Sequence, residues 1–291
     1  MQAAIITSYK DFHQLFCLTE ELLHMHFKVF IHVDKKSFDK NNEYLIKLSN
    51  YPQQVHLVST YSINWGSINH LYAIIDLIKE ALKDKDIHFI HILSSQDYPI
   101  KHGGEFDSFF SPTNTNIYMT LCSEENFSRK VKNRYSQYYF FSELDSRRFF
   151  VRTTERISRN LQKAMGIKRT QFGGFNSLCK GMVWLSAPQE VFDYVISTCD
   201  KQPSFLRFLN RCKIPEEFFF QTILSNSSYA EKIVPDNLRF TVWEKKHNSI
   251  PAILDETDFP LIKNSEAFFV RKIDSIISHD LTKKINDFLL V

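Results

Sequence analysis

Several features are scarce or missing in this 291-residue chain, and each absence removes a class of function. Its five cysteines, Cys17, Cys122, Cys179, Cys199 and Cys212, are scattered and form no CxxC pair, which argues against a disulfide framework or a zinc site and for reduced thiols. Glycine occurs only 7 times. Gly173-Gly174 has neither a GxGxxG nor a Walker lysine around it, so it reads as a turn and not a phosphate loop. No stretch reaches the ~20 uninterrupted apolar residues of a membrane span. The opening Met1-Gln2-Ala3-Ala4-Ile5-Ile6-Thr7 meets Ser8-Tyr9-Lys10-Asp11 at once and reads as a first strand, too short for a signal peptide or anchor. A net charge of +3 is too weak to argue for nucleic acid, and no nucleic-acid signature accompanies it. No repeat, low-complexity tract or linker interrupts the chain, which favours one domain over residues 1–291.

What is present is apolar and aromatic. Hydrophobic residues make up 43%, with 27 Phe and 12 Tyr, enough for a substantial core. Ala3 to Thr7 reads as a buried strand, Asp11 to Met25 as a helix, and Phe27 to Asp34 as a second strand ending on an acid. Val55 to Val58 is a third strand. Ser67 stands where it can cap a helix carrying Leu71, Ile74, Ile75, Ile78 and Leu82. Ile87 to Leu93 is a further strand running into Gln96-Asp97-Tyr98-Pro99. Strands alternating with helices predict an α/β fold, with ligands at the carboxyl ends of the strands, where Asp34 and Asp97 fall. Residues 1–110 therefore read as a Rossmann-like nucleotide-binding half, and 111–291 as the other half.

From Leu121 to Arg169 the composition turns to Arg, Lys, Tyr and Phe. Two readings stay open there: an exposed amphipathic segment covering the sheet, or an acceptor-side or membrane-surface patch. Later come a strand over Lys180 to Ser186, a helix from Pro188 to Cys199, and a strand over Leu238 to Trp243. Between them, Ile214-Pro215-Glu216-Glu217-Phe218 puts two carboxylates after a proline at the head of an apolar segment. On pattern alone this is a helix start, with Pro215 set for the first turn and the acids favoured by the helix dipole. A carboxylate held beside a core also meets the requirement of general-base catalysis.

Taken in order, Ile31-His32-Val33-Asp34-Lys35-Lys36, Trp65-Gly66-Ser67, Gln96-Asp97-Tyr98-Pro99, Pro215-Glu216-Glu217-Phe218-Phe219 and Phe269-Val270-Arg271-Lys272-Ile273-Asp274 resemble the motifs of the core-2/I-branching glycosyltransferase family, shared with the peptide O-xylosyltransferases. The resemblance implies a GT-A fold, a Rossmann-like mixed sheet flanked by helices. It also implies inverting transfer from a UDP-sugar to an acceptor hydroxyl, with no cofactor and no divalent metal. Asp84-Lys85-Asp86 fits a metal triplet but lies in the turn before a strand.

By position, the resemblance makes Glu217 the general base and Glu216 its exposed neighbour. Asp34, Lys35, Trp65 and Asp97 fall on the donor side, and Lys272 with Arg271 supplies cations for the leaving diphosphate. The family's second diphosphate cation has no arginine counterpart near Asn248 and Ser249. It is sought among Lys245, Lys246 and His247, with Lys246 the first choice, and Arg239 is set back within a strand. Glu124 or Glu125, with Arg134 and Trp243, fall where acceptor contacts are expected; Glu125 is the first choice. A core role for Trp243, and an ion pair of Asp34 with Lys35 or Lys36, stand as the plain structural readings.

The first donor expectation is UDP-GlcNAc, with UDP-xylose and UDP-galactose as rivals. The acceptor is a glycan or lipid-linked oligosaccharide, in surface polysaccharide synthesis. The family's secreted members carry disulfides and an anchor, and neither is read here. The expected setting is therefore a bacterial-type cytoplasmic enzyme, peripheral to the inner membrane. A nucleotide-sugar or glycan-binding protein without turnover is the rival of another class.

Overall fold

The computed structural model describes residues 1–145 and 147–290. The first half alternates strand and helix as its periodicity predicts: β1 (Gln2–Ser8), α1 (Phe12–His24), β2 (Lys28–Val33), α2 (Glu43–Ser49), β3 (Val55–Val58), α3 (Ile68–Ala81), β4 (Phe89–Ser94) and β5 (Asp97–Pro99). Next come α4 (Gly103–Phe109), β6 (Ile117–Tyr118), β7 (Cys122–Ser123), α5 (Arg129–Lys132), α6 (Phe149–Ala164), β8 (Cys179–Lys180), β9 (Ser186–Pro188), α7 (Gln189–Lys201) and α8 (Pro203–Leu209). The chain continues through α9 (Glu216–Ser225), β10 (Ile233–Val234), β11 (Arg239–Thr241), α10 (Phe259–Lys263), β12 (Phe269–Arg271) and α11 (His279–Leu289).

The large sheet has the order β10-β6-β9-β4-β1-β2-β3. β4, β1, β2 and β3 run parallel, whereas β9 runs antiparallel to both β4 and β6. A parallel ladder must be covered on both faces, and every residue of β1 is buried. Alternation along β1 sends Ala3 and Ile5 into a cluster with α3, α7 and α9, and Ala4 and Ile6 into a second with α1, α2 and α11. A smaller sheet, β11-β12-β5, stands beside the first, with β12 parallel to β11 and antiparallel to β5. This mixed sheet flanked by helices is the architecture expected from the sequence.

Two local expectations are corrected, and one helix went unread. Ser67 takes the N-cap position of α3, but its hydroxyl makes no capping bond and is buried without a hydrogen-bond partner among the described residues. The strand read over Lys180 to Ser186 is two short strands with an irregular strip between them. The Gly181 N–H donates to the Glu217 carbonyl, the Met182 N–H to Thr120 Oγ1, and Gln221 Nε2 to the Met182 carbonyl. These groups answer α9 and a neighbouring loop, so they form no ladder. Helix α11 was not read from the sequence; its buried residues are only Leu281 and Ile285, a thin stripe on a polar segment.

Candidate active site

Two strand-end acids organise the carboxyl edge of the large sheet. Asp34 follows β2 and is buried; its Oδ1 accepts the N–H groups of Lys36 (3.0 Å) and Ile63 (3.1 Å), and Oδ2 lies 3.5 Å from the Lys36 ammonium. Two residues earlier, His32 Nε2 accepts the N–H groups of Thr60 and Tyr61 at 3.2 and 3.0 Å. Together they staple the loop leading to Trp65 onto the end of β2. An imidazole nitrogen facing two N–H donors must be unprotonated, and burial pushes the His32 pKa down to about 4. Lys35 is exposed and Trp65 is 62% exposed, with the Lys213 ammonium 4.8 Å from its ring centroid.

The same loop meets the start of α9. The Ile214 N–H donates to the Gly66 carbonyl at 3.0 Å, with Gly66 at φ +80° and Ile214 at φ 56°. A β-branched residue in the left-handed region is strained by roughly 1–3 kcal/mol, a cost that surrounding contacts must offset. From this turn Pro215 opens the helix and the two acids diverge. Glu217 Oε2 meets Arg134 Nη1 at 2.6 Å and Lys180 Nζ at 2.9 Å. Among the described residues no hydrogen bond engages its Oε1, and the side chain is 25% exposed.

Glu216 was expected to be the exposed neighbour, and the structure reverses this. Glu216 is 6% exposed and points into the fold, where Oε1 meets His70 Nδ1 at 3.0 Å, while Oε2 is buried without a hydrogen-bond partner among the described residues. His70 Nε2 in turn meets Thr7 Oγ1 at 3.1 Å, so Glu216 closes a polar chain from α9 through α3 to β1. Successive helix residues point about 100° apart, so of adjacent acids one turns inward.

Cations gather on the other side. Register pairs Arg271 with Asp97 across β12 and β5, which puts both side chains on one face, with Nη1 and Oδ1 3.9 Å apart. Asp97 Oδ2 is fixed by the Ser94 N–H and hydroxyl, whereas its Oδ1 and the Arg271 Nε and Nη1 are buried with no hydrogen-bond partner among the described residues. The Arg271 guanidinium lies over Trp184, 4.4 Å from the ring centroid. Next to it the Lys272 ammonium donates to Ser249 Oγ at 3.3 Å, and its pKa is lowered by burial and by the charges of Arg271 and Lys10. Arg271, facing Asp97 Oδ1, and Lys272 thus concentrate positive charge at this edge.

The other expected cations do not join this group. Lys246 is engaged by Asp255 Oδ1 (2.8 Å), Asp258 Oδ2 (2.7 Å) and Thr257 Oγ1 (3.1 Å), which take up its three donors, and the two carboxylates outweigh burial to raise its pKa. His247 is bound to the other Asp255 oxygen at 2.8 Å. Arg239 is buried in the core against Phe269, donating to the carbonyls of Ile92 and Leu185, and burial lowers its pKa to about 9. Of the residues expected to contact an acceptor, Arg134 reaches Glu217. Glu125 is exposed and accepts from the Ser123 hydroxyl, while Glu124 accepts from Tyr135 at 2.8 Å. Trp243 is 61% exposed, so the core reading of it is wrong.

Sequence reasoning missed Lys180, Trp184, His70 and Lys10. Trp184 lies between Arg271, which stacks on it, and His70, the partner of Glu216, whose ring is edge-on with centroids 6.3 Å apart. Lys180 and Trp184 belong to the strip read as a strand, and only its contacts with α9 show what they do. The Asp84-Lys85-Asp86 triplet sits at the opposite end of the sheet, with Asp84 paired to Lys28.

A family model described as Core-2/I-Branching enzyme matches residues 4–263. "Xylosyltransferase sqv-6" of Caenorhabditis elegans is 23% identical over 278 residues, covering 88% of this chain and 32% of that protein. "Xylosyltransferase 2" of Rattus norvegicus is 27% identical over 296 residues, covering 95% and 32%. The chain thus spans about a third of the length of these relatives. A solved structure titled as a putative glucose-1-phosphate thymidylyltransferase from Bacillus anthracis, in complex with a sucrose, aligns with a TM-score of 0.32 at 9% identity, covering 72% of this chain and 84% of that one. That likeness is too distant to carry an argument.

Proposed function

The chain belongs to the core-2/I-branching enzyme family of glycosyltransferases, and on that premise we propose that it moves a sugar, with inversion and without a metal, from a UDP-sugar to a glycan hydroxyl in surface polysaccharide synthesis. The observation carrying the mechanism is the Glu217 carboxylate, held at one oxygen by Arg134 and Lys180 with the other oxygen uncommitted. The clamp fixes the position of the group. In this reading Oε1 takes the acceptor proton as the hydroxyl oxygen attacks the anomeric carbon, and the bond from that carbon to the diphosphate breaks.

The leaving UDP gains negative charge at its terminal phosphate. Lys272, with Arg271 and Lys10 around it, supplies fixed positive charge there, which supports turnover without a metal. Asp34 and Lys35 stand on the nucleoside side, and Trp65 and Trp243 offer exposed aromatic faces to sugars. The second phosphate cation falls to Lys10 in this reading, because Lys246 is engaged elsewhere.

UDP-GlcNAc is the first donor, and the names of the xylosyltransferase relatives raise UDP-xylose beside it. The test is turnover of UDP-GlcNAc, UDP-xylose and UDP-galactose with a glycan acceptor, with and without EDTA. One donor should be consumed equally in both conditions. Glu217→Gln should lower transfer by roughly 10²–10⁴-fold with UDP binding retained, and Lys272→Ala should weaken UDP binding. Normal transfer by Glu217→Gln would falsify the assignment, and no turnover of any UDP-sugar would leave the binding-protein reading in its place.

A further inference from the structure

Charge is distributed unevenly along the chain. Residues 129–170 hold twelve Lys or Arg against three Asp or Glu, in a molecule whose net charge is only +3, so the remainder is acidic. Helix α6 lies within this basic stretch. It holds to the fold by one narrow face: Val151 and Gln162 are buried, Gln162 bonds the Tyr138 N–H and carbonyl at 2.8 and 3.0 Å, and Glu155 accepts the Phe141 N–H at 3.0 Å.

The rest of α6 faces outward with two different stripes. Phe150, Ile157 and Leu161 recur at i, i+7 and i+11, and all are exposed. Phe150 is 79% exposed, and Phe149 beside it 73%. Arg152, Arg156 and Lys163 recur at i, i+4 and i+11, also exposed, and Arg147 precedes the helix. Large apolar side chains left in water on a strongly basic helix need a partner that is both anionic and apolar.

We propose that α6 docks the protein on an anionic lipid surface. Phe149, Phe150, Ile157 and Leu161 enter the headgroup layer, and Arg147, Arg152, Arg156 and Lys163 reach lipid phosphates on their long stems. A second copy of the chain fits less well, because a two-fold contact would set this basic face against itself. Nucleic acid would satisfy the cations and leave the aliphatic side chains without a role.

The docking helix is tied to the candidate active site. Loop 137–145, on which α6 rests, accepts from Asn64 Nδ2 at the Glu143 carbonyl (2.7 Å), beside Trp65. The same loop donates from the Tyr139 N–H to the Arg211 carbonyl (3.0 Å), two residues before Lys213. Docking would therefore hold the Trp65 side of the site at the bilayer, where a lipid-linked acceptor would lie. The docking itself does not depend on which sugar is transferred.

Flotation with vesicles of phosphatidylcholine alone, and of equimolar phosphatidylcholine and phosphatidylglycerol, at low and high salt, tests this directly. The full chain should float with the anionic vesicles at low salt, stay in solution with the neutral ones, and be released by salt. Arg152→Ala with Arg156→Ala should lower the partition coefficient about thirtyfold, at ~1 kcal/mol per cation. Phe149→Ser with Phe150→Ser should lower it at least about tenfold while the urea midpoint is unchanged, since both side chains are exposed. Absence of binding to anionic vesicles at low salt overturns the proposal. So does binding that ignores the phenylalanine changes and is matched by a duplex oligonucleotide, or a dimer in sedimentation that the phenylalanine changes dissolve.

Discussion

At the scale of single residues, what decides a role here is which partners a side chain is already committed to. Lys246 and Lys272 are both lysines near the same segment, yet one is engaged by two carboxylates and a hydroxyl and the other meets a single hydroxyl with cations around it. His32 gives the sharpest prediction of this kind. Its folded pKa, about 4, lies below the ordinary ~6.5 of the unfolded chain, so between those values the unfolded state binds the extra proton. Stability from this group is therefore complete above pH ~6.5 and falls on acidification until pH ~4, with a slope no steeper than about 1.4 kcal/mol per pH unit. His32→Gln keeps an acceptor for the Thr60 and Tyr61 N–H groups and cannot titrate in this range. Urea midpoints between pH 7 and pH 4 should drop less in the variant than in the parent chain; equal drops would assign the acid sensitivity elsewhere. Buried His91 acts in the same direction and keeps some slope in both proteins.

At the scale of elements, the site depends on the strip between β8 and β9 lying close against α9. Gly181 makes that approach feasible: a Cβ there would fall 1.9 Å from the Thr120 carbonyl oxygen and 2.8 Å from Gln221 Nε2. Gly181→Ala must push the strip away from the helix and carry Lys180 off Glu217, with Trp184 following. The expected cost is about 1–3 kcal/mol of stability, as for overpacked cores, together with a marked loss of transfer. Gly104→Ala is the control. It lies in α4 with nothing within 4 Å of the new methyl, so it should be neutral or stabilise by up to ~1 kcal/mol. Matched urea titrations of the two variants separate the explanations, and similar behaviour would show that the close approach is not what holds the strip. The sequence indicated that Gly181 exists but not that a carbonyl from another element stands over it.

At the scale of the whole molecule, the two halves read from the sequence share their sheets. β9, from the second half, hydrogen-bonds along the edge of β4, and β12 pairs with β5. A fragment ending at residue 110 would leave the β4 edge bare and expose the apolar face that α7 and α9 cover. It should therefore lack a cooperative urea transition where the full chain has one, as followed by circular dichroism. Cooperative unfolding of the fragment would mean that the nucleotide-binding half is a domain in its own right. Among the described residues no helix is long and apolar enough to cross a membrane.

The sequence by itself determined the alternation of strands and helices through β4, the strand ends where Asp34 and Asp97 stand, and the helix start at Pro215. Each of these is local, set by periodicity or by a residue acting on its own few neighbours. The tertiary structure alone decided that Glu217 faces Arg134, 83 positions away, and that Glu216 turns inward to His70, 146 positions away. It also decided that Lys246 is held by two acids and that the charges of Arg271 and Lys10 act on Lys272. The reason is physical. Ion pairing and burial depend on distances in space between groups that the chain separates by scores of residues, and no periodic pattern along the sequence encodes them. What began as a pair of neighbouring acids becomes two residues with opposite surroundings, and only the fold distinguishes them.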